Sequence, residues 1–387
     1  MTNPMTQCAI AGIGQTEFST NSGRSELRVA CDAILAALAD AGLEASDIDG
    51  IVTYTIDNND EVSLMRALGI RDLKYSVRLP MGGGGSAMTI HHACAAVASG
   101  AASTVVIWRA MNERSEYRFG QPKDTPGGSR INDMTFTIWG IPYGLQFPGA
   151  CSALGFQRYM AKYGVTNADL GHIVVQQRAY AATNPNARFY GKPITLDDHQ
   201  NSRWIADPVL RLFDCCQETD GGVALIVTSR ERARDLKGQH VRILGSATSI
   251  PYNVEPLTPY YTDDPMIMQQ SVNCARRVFE AAGVGPKDID VALLYDAFTP
   301  EVVNQLEAFG FCGAGEALDF VKSGACAIDG ELPLNTNGGL IGEAYVHGLN
   351  MVTEGVRQLR GVAANQRKDA ELVLFSSGNG AVILAKD

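Results

Sequence analysis

Four glycine-marked segments hold the side chains best suited to chemistry. Leu294-Tyr-Asp-Ala-Phe-Thr-Pro-Glu301 sets Tyr295 beside Asp296, where an apolar run gives way to a helix start. Leu332-Pro-Leu-Asn-Thr-Asn-Gly-Gly-Leu-Ile-Gly-Glu-Ala-Tyr-Val-His-Gly348 carries Tyr345 and His347 behind Gly338 and Gly339. Met81-Gly-Gly-Gly-Gly-Ser-Ala-Met88 enters an alanine-rich helix. There Gly83 and Gly84 permit close backbone approach, and the helix start favours an anionic group. Leu374-Phe-Ser-Ser-Gly-Asn-Gly-Ala381 offers Ser376 at a glycine turn. A tyrosine can donate a hydrogen bond or pass a proton. Its ordinary pKa of about 10 means that a neighbour must tune it for base work. Asp296 either orients Tyr295 or caps the helix that follows. Ser376 either hydrogen-bonds a ligand or fills a small position. Asn335 and Asn337 are expected to fix the turn that presents Gly338 and Gly339. The glycine run lacks the Lys-Ser/Thr of a phosphate loop and the spacing of a dinucleotide fingerprint.

The elements that must position these segments read as α/β. Cys8–Gly14 is a strand-length apolar run, Ser25–Gly42 a helix with Ser25 as cap and Gly42 as stop, and the stretch from Gly50 the next strand. This order predicts a mainly parallel sheet. The text then repeats. Asp40–Tyr54 matches Ala281–Tyr295 without a gap, pairing Gly42 with Gly283, Asp47 with Asp288, Asp49 with Asp290 and Tyr54 with Tyr295. An internal duplication is the simplest explanation. Two halves are expected, 1–235 and 236–387. The first holds an insertion over about 110–205 that is rich in Gly, Pro, Asn and aromatics. It reads as a cover for the site, with helices at 152–163 and 167–182.

Composition excludes several classes. Acidic residues outnumber basic ones by 42 to 32, for a net charge of −10, so nucleic acid is a poor partner. The nine cysteines are spread evenly without a CxxC pair, which predicts reduced thiols in a cytoplasmic protein. Cys94, Cys215 and Cys216 read as buried, and His91 and His92 as packing or surface residues. No metal set is visible. The N-terminal residues carry no basic run, and no segment reaches the apolar length of about 18 residues that a span needs. Neither a signal peptide nor a membrane anchor is expected.

These segments resemble the thiolase superfamily over nearly the whole chain, in particular the thiolase domains of the sterol carrier protein x type. Asp220-Gly-Gly-Val-Ala-Leu-Ile-Val-Thr-Ser229 is similar to the end of a thiolase N-terminal half, and Pro333–Leu340 to the family's Pro-x-Asn-x-x-Gly-Gly-Leu signature. The resemblance implies a duplicated five-layer αβαβα sandwich and a homodimer core. It also exposes departures. The turn of the nucleophilic cysteine is the Gly82–Gly85 run, the motif histidine falls on Tyr345, the Asn-Glu-Ala-Phe motif reads Tyr295-Asp-Ala-Phe, and the second cysteine's place falls on Ser376. Shifting the register by two would make His347 the motif histidine but loses a glycine anchor, so a supporting role suits it better.

Without that cysteine no acyl-enzyme forms by the thiolase route. The Gly/Tyr/Tyr replacement, with Asn112-Glu-Arg-Ser and Arg118-Phe-Gly-Gln, resembles the thiolase-like aldolases of bacterial steroid side-chain degradation. The resemblance implies retro-aldol cleavage of a steroid with a three-carbon acyl-CoA side chain and a tertiary D-ring hydroxyl. The products would be a seventeen-ketosteroid and propionyl-CoA. It implies a DUF35-domain hydratase subunit as partner and no cofactor beyond the substrate's own CoA. Tyr345 is expected to deprotonate the hydroxyl and Tyr295 to protonate the enolate or hold its oxygen, an order the sequence does not fix. Gly83, Gly84, Asp296, Gly339, His347 and Ser376 are the expected substrate-side residues. Two rivals stand beside this reading: a non-catalytic acyl-CoA or sterol-binding scaffold, and a thiolase using Cys312 or Cys326.

Overall fold

The computed structural model describes residues 4–116, 118, 141–145, 147–252, 264 and 266–387. The first half runs β1 (Cys8–Gln15), α1 (Glu26–Ala41), β2 (Gly50–Tyr54), α2 (Glu61–Leu68), β3 (Tyr75–Leu79), α3 (Ser86–Ala98), β4 (Thr104–Asn112), α4 (Pro148–Tyr163), α5 (Asn167–Thr183), α6 (Leu196–Asn201), a hairpin of β5 (Trp204–Ala206) and β6 (Leu210–Arg211), β7 (Asp220–Ser229) and α7 (Arg230–Ala233). The second runs β8 (Val241–Thr248), α8 (Gln269–Ala282), β9 (Val291–Leu294), α9 (Thr299–Ala308), α10 (Ala317–Lys322), α11 (Gly339–Gly342), α12 (Leu349–Arg360), β10 (Leu372–Ser376) and β11 (Gly380–Ala385). The expected division at 235/236 lies in the connection from α7 to β8. Much of the expected site cover, including Pro126-Gly-Gly and Trp139, lies outside the described residues.

The repeat in the text is a repeat in space. Helices α1 and α8 both stop on a left-handed glycine, Gly42 at φ 72° and Gly283 at φ 70°. Asp49 then accepts from the amides of Ser103 and Thr104, at the start of β4. Its counterpart Asp290 accepts from Glu371 and Leu372, at the start of β10. Each aspartate thus ties its helix–turn–strand unit to the neighbouring strand of its own half.

The sheet order among the described residues is β3-β2-β4-β7-β1-β8-β11-β10-β9. Its first half, β2-β4-β7-β1, and its second, β9-β10-β11-β8, are the same arrangement. The expected mainly parallel sheet is corrected here. Only β2–β3, β2–β4 and β9–β10 pair parallel, while β1–β7, β4–β7, β10–β11, β8–β11 and β1–β8 pair antiparallel. The reason is that β7 and β11 return into the sheet beside the first strand of their half. The two halves of the sheet pair through only Ala9↔Arg242 and Ile10↔Val241.

Three apolar cores separate the layers. One lies between α1 and the first-half strands, around Ala30, Ile34, Ile51 and Trp108. One lies outside the second-half strands, around Val278, Val303, Leu306 and Leu374. The central core takes α3 and α12 between strands of both halves, with Ile90, Val105, Ile107, Leu293, Val352 and Phe375. The arrangement is a five-layer αβαβα sandwich, and the chemistry-bearing segments meet at one end of the central layer.

Candidate active site

Tyr295 follows β9 directly, and its position is fixed from both sides. Its N–H donates to the carbonyl of Ser376 at 2.9 Å. The Asn335 side chain accepts from Leu294 N at 2.8 Å and donates to Leu294 O at 2.9 Å, standing in for a neighbouring strand. Asn335 can do this because it takes a left-handed backbone, φ 50°. Asn337 accepts from Gly339 N at 3.1 Å and so shapes the glycine turn itself.

That turn feeds α11 and then Tyr345, whose N–H reaches Thr219 Oγ1 at 3.4 Å. Tyr295 is 8% exposed and Tyr345 is partly open. Their hydroxyls lie 3.1 Å apart, within hydrogen-bond reach, and either can be the donor. Burial pushes the Tyr295 phenol well above its ordinary value, and Tyr345 adds to this. Burial does the same to Tyr345, with Cys216 and Glu113 adding to it. Both phenols are therefore neutral at physiological pH.

The glycine run explains how two large side chains fit here. A Cβ on Gly83 would overlap the hydroxyl and ring of Tyr295. The space that a side chain on Gly83 would need is thus occupied by the Tyr295 phenol. Gly84 faces elsewhere: its Cβ would meet Asn379 Oδ1 at 3.0 Å. Gly348 closes the other side of the ring, where a Cβ would lie 3.2 Å from Tyr295 Cδ2.

Asp296 neither points along Tyr295 nor caps α9, as the sequence suggested. Its carboxylate accepts from Leu340 N at 2.8 Å and from Ile341 N at 3.4 Å, capping α11 from across the site. A Cβ on Gly339 would overlap it. Burial raises the Asp296 carboxyl to about 7. Gly339 and Asp296 therefore act on each other. Ser376 is fully buried, and its hydroxyl accepts from Gly378 N at 3.3 Å. The next residue, Ser377, accepts from Ala87 N at 3.1 Å and donates to Gly84 O at 2.9 Å, fixing the start of α3.

His347 lies beside the pair, its ring 5.1 Å from that of Tyr345 and edge-on to it. Arg109 Nε donates to its Nδ1 at 2.9 Å, and Arg109 Nη1 donates to Asp57 Oδ2 at 2.9 Å. Sequence reading missed Arg109 and Asp57. The available signal was a charged residue in the middle of the apolar run Val105–Met111. Among the described residues no cluster of His, Cys, Asp and Glu could hold a metal ion.

Residues 259–386 match the family described as thiolase C-terminal domain-like. A steroid side-chain-cleaving aldolase of Thermomonospora curvata is 48% identical over 96% of this chain and 95% of its own length. The chain belongs to the aldolase branch of the thiolase superfamily. A 17-hydroxy-3-oxo-4-pregnene-20-carboxyl-CoA lyase of Mycobacterium tuberculosis is likewise 48% identical, over 97% of each chain. A solved Ltp2-ChsH2(DUF35) aldolase superposes with a TM-score of 0.93 at 46% identity, covering 99% of this chain and 98% of that one.

Proposed function

We propose that this chain cleaves the side chain of a steroidal β-hydroxyacyl-CoA by a retro-aldol reaction, releasing a 17-ketosteroid and propionyl-CoA. Its substrate is of the 17-hydroxy-3-oxopregn-4-ene-20-carboxyl-CoA type, the compound named for the Mycobacterium tuberculosis relative. The observation that carries the reading is the 3.1 Å contact between the two tyrosine hydroxyls. Cleavage must move one proton from the substrate hydroxyl to Cα. As the Cα–Cβ bond breaks, one phenol takes the hydroxyl proton while passing its own to the other. The second phenol delivers a proton to Cα, and both end neutral. A free phenolate, which burial disfavours, is never required.

An acyl-enzyme is disfavoured by the same environment. Burial pushes the Cys216 thiol well above its ordinary value, and Cys312 and Cys326 to about 12. Attack needs a thiolate. A scaffold without activity gives no reason for two phenols to meet over a glycine that makes room for one of them.

A DUF35-domain subunit as partner is supported by the DUF35 named in the solved relative. A homodimer is supported by β3, which ends the sheet with one edge unpaired among the described residues. A cytoplasmic setting and the absence of a cofactor belong to the same reading. No helix among the described residues is long and apolar enough to cross a membrane.

The test is a product assay with the steroidal CoA ester, with and without a DUF35-domain subunit. Ketosteroid and propionyl-CoA in equal amounts, with no acyl adduct in the intact protein mass, is the expected result. Substrate bound but unchanged in the presence of the partner would overturn the proposal.

A further inference from the structure

Glu343 stands at the end of α11, between the glycine turn and Tyr345, and is fully buried. Three carboxamides from three segments donate to its carboxyl. Asn337 Nδ2, in the glycine turn, reaches Oε2 at 2.5 Å, and Asn350 Nδ2, in α12, reaches the same oxygen at 2.8 Å. Asn184 Nδ2, just past α5, reaches Oε1 at 3.1 Å. Two of these amides cannot turn round. Asn337 Oδ1 is taken by Gly339 N and Asn184 Oδ1 by Asn186 N, so each must show Glu343 its NH2 end. The third, Asn350, donates from the same nitrogen to Ala344 O at 3.1 Å. Only a side chain with acceptors at both tips satisfies this set. Burial raises the carboxyl to about 7, and the fit holds with or without its proton, because the protonated form keeps three lone pairs.

Tyr345 needs this support. Its own peptide is held lightly, by Thr219 Oγ1 at 3.4 Å on the N–H and by Asn350 at 3.1 Å on the preceding carbonyl. The shorter bonds lie two residues upstream, at Glu343. The backbone there is fastened as well. Arg188 N donates to Glu343 O at 2.9 Å, and Arg188 Nη1 donates to the carbonyl of Glu218, the residue that bridges to Tyr345. Asn337 shapes the turn that carries Gly339, so one carboxyl fixes both ends of the stretch from the turn to the phenol. A buried carboxyl costs stability that an apolar side chain of similar volume would not. What it adds is a fixed backbone, where a shift of about 1 Å would part hydroxyls that lie 3.1 Å apart.

Resting on the retro-aldol reading, we propose that Glu343 is a positioning residue: by gathering Asn184, Asn337 and Asn350 it sets the Tyr345 hydroxyl against that of Tyr295. The sequence carries one sign of it, a carboxylate inside the apolar stretch Gly339–Ala344.

The test follows the phenols and the rate together. Protein labelled with ¹³Cζ-tyrosine is measured by NMR, with Tyr295 and Tyr345 assigned from the spectra of their Phe variants. Glu343→Leu should move both signals and leave that of the exposed Tyr252 in place. Its kcat should fall about 100-fold, the cost of misplacing a reacting group, with KM within about threefold of wild type. In the Tyr345→Phe background the same change should lower kcat by no more than about threefold, because the proton path is already broken. Glu343→Gln keeps an acceptor for Asn337 and Asn350 but sets its NH2 against Asn184, and should stay within about tenfold of wild type. Thermal unfolding checks the fold of each variant. If Glu343→Leu does not fold, Asn350→Ala, which removes the donor to Ala344 O, should show the same coupling to Tyr345. An unmoved Tyr345 signal in the folded variant overturns the inference. So does an equal fall of kcat in both tyrosine backgrounds, which a purely structural role would give. If the wild type cleaves no CoA ester while the phenol signals move as expected, the reading of function fails and the positioning of Tyr345 stands.

Discussion

Gly83→Ala tests whether the site depends on the glycine that makes room for Tyr295. The added Cβ would sit well inside the 3.0 Å that real Cβ atoms keep from other atoms, against the Tyr295 hydroxyl and ring. Tyr295 must retreat by more than about 1 Å. It has little freedom to do so: its N–H is held by Ser376 O, Leu294 is clamped by Asn335, and the ring packs so near Gly348 that even a Cβ there would lie 3.2 Å from Cδ2. The 3.1 Å contact with Tyr345 then breaks. Displacing a reacting group by about 1 Å costs on the order of 100-fold in rate. Overpacking costs about 1–3 kcal/mol of stability, so the variant should still fold. Steady-state cleavage of the CoA ester is measured beside thermal unfolding, with Gly84→Ala as control. That methyl would meet Asn379 Oδ1 at 3.0 Å and Ser377 O at an ordinary 3.5 Å, and should cost a few-fold at most. A folded Gly83→Ala variant with kcat within about threefold of wild type would refute the reasoning.

Tyr295→Phe and Tyr345→Phe should each lower kcat by about 100-fold or more, since either change breaks the proton path; near-normal turnover in both would dismiss it. Because burial raises both phenols above their ordinary value, the pH–rate profile should show no alkaline loss below about pH 10. Asp296 titrates near 7 in the folded chain, above its unfolded value, so the native state binds more protons between these values and stability falls as pH rises from about 4 to 7. Asp296→Asn should flatten that part of the curve, by up to about 4 kcal/mol, and an unchanged slope in thermal melts would contradict the assignment. Asn335→Asp loses the donor to Leu294 O and sets a carboxylate against it; unfolding should become easier by about 1–3 kcal/mol and kcat should fall at least about tenfold. Wild-type stability and rate together would show that the clamp is dispensable.

The sequence by itself determined the duplicated helix–turn–strand units, because their signals are local. A left-handed glycine and two aspartates at fixed spacing act within a few residues of one another. Tyr295 and Tyr345 were singled out in the same way, from short motifs that resemble those of thiolases. Strand direction was not local: β7 reaches its antiparallel place beside β1 only after some two hundred residues, and no run of text states which neighbour it will find. The roles of single atoms were decided in the same way. Asp296 caps a helix more than forty residues away rather than the one that follows it, and Arg109 finds a histidine 238 positions on. That the phenols of Tyr295 and Tyr345 touch depends on Gly83, from the other half of the chain, leaving its space empty. Hydrogen bonds of this kind are set by how whole layers pack, so only the tertiary structure could supply them.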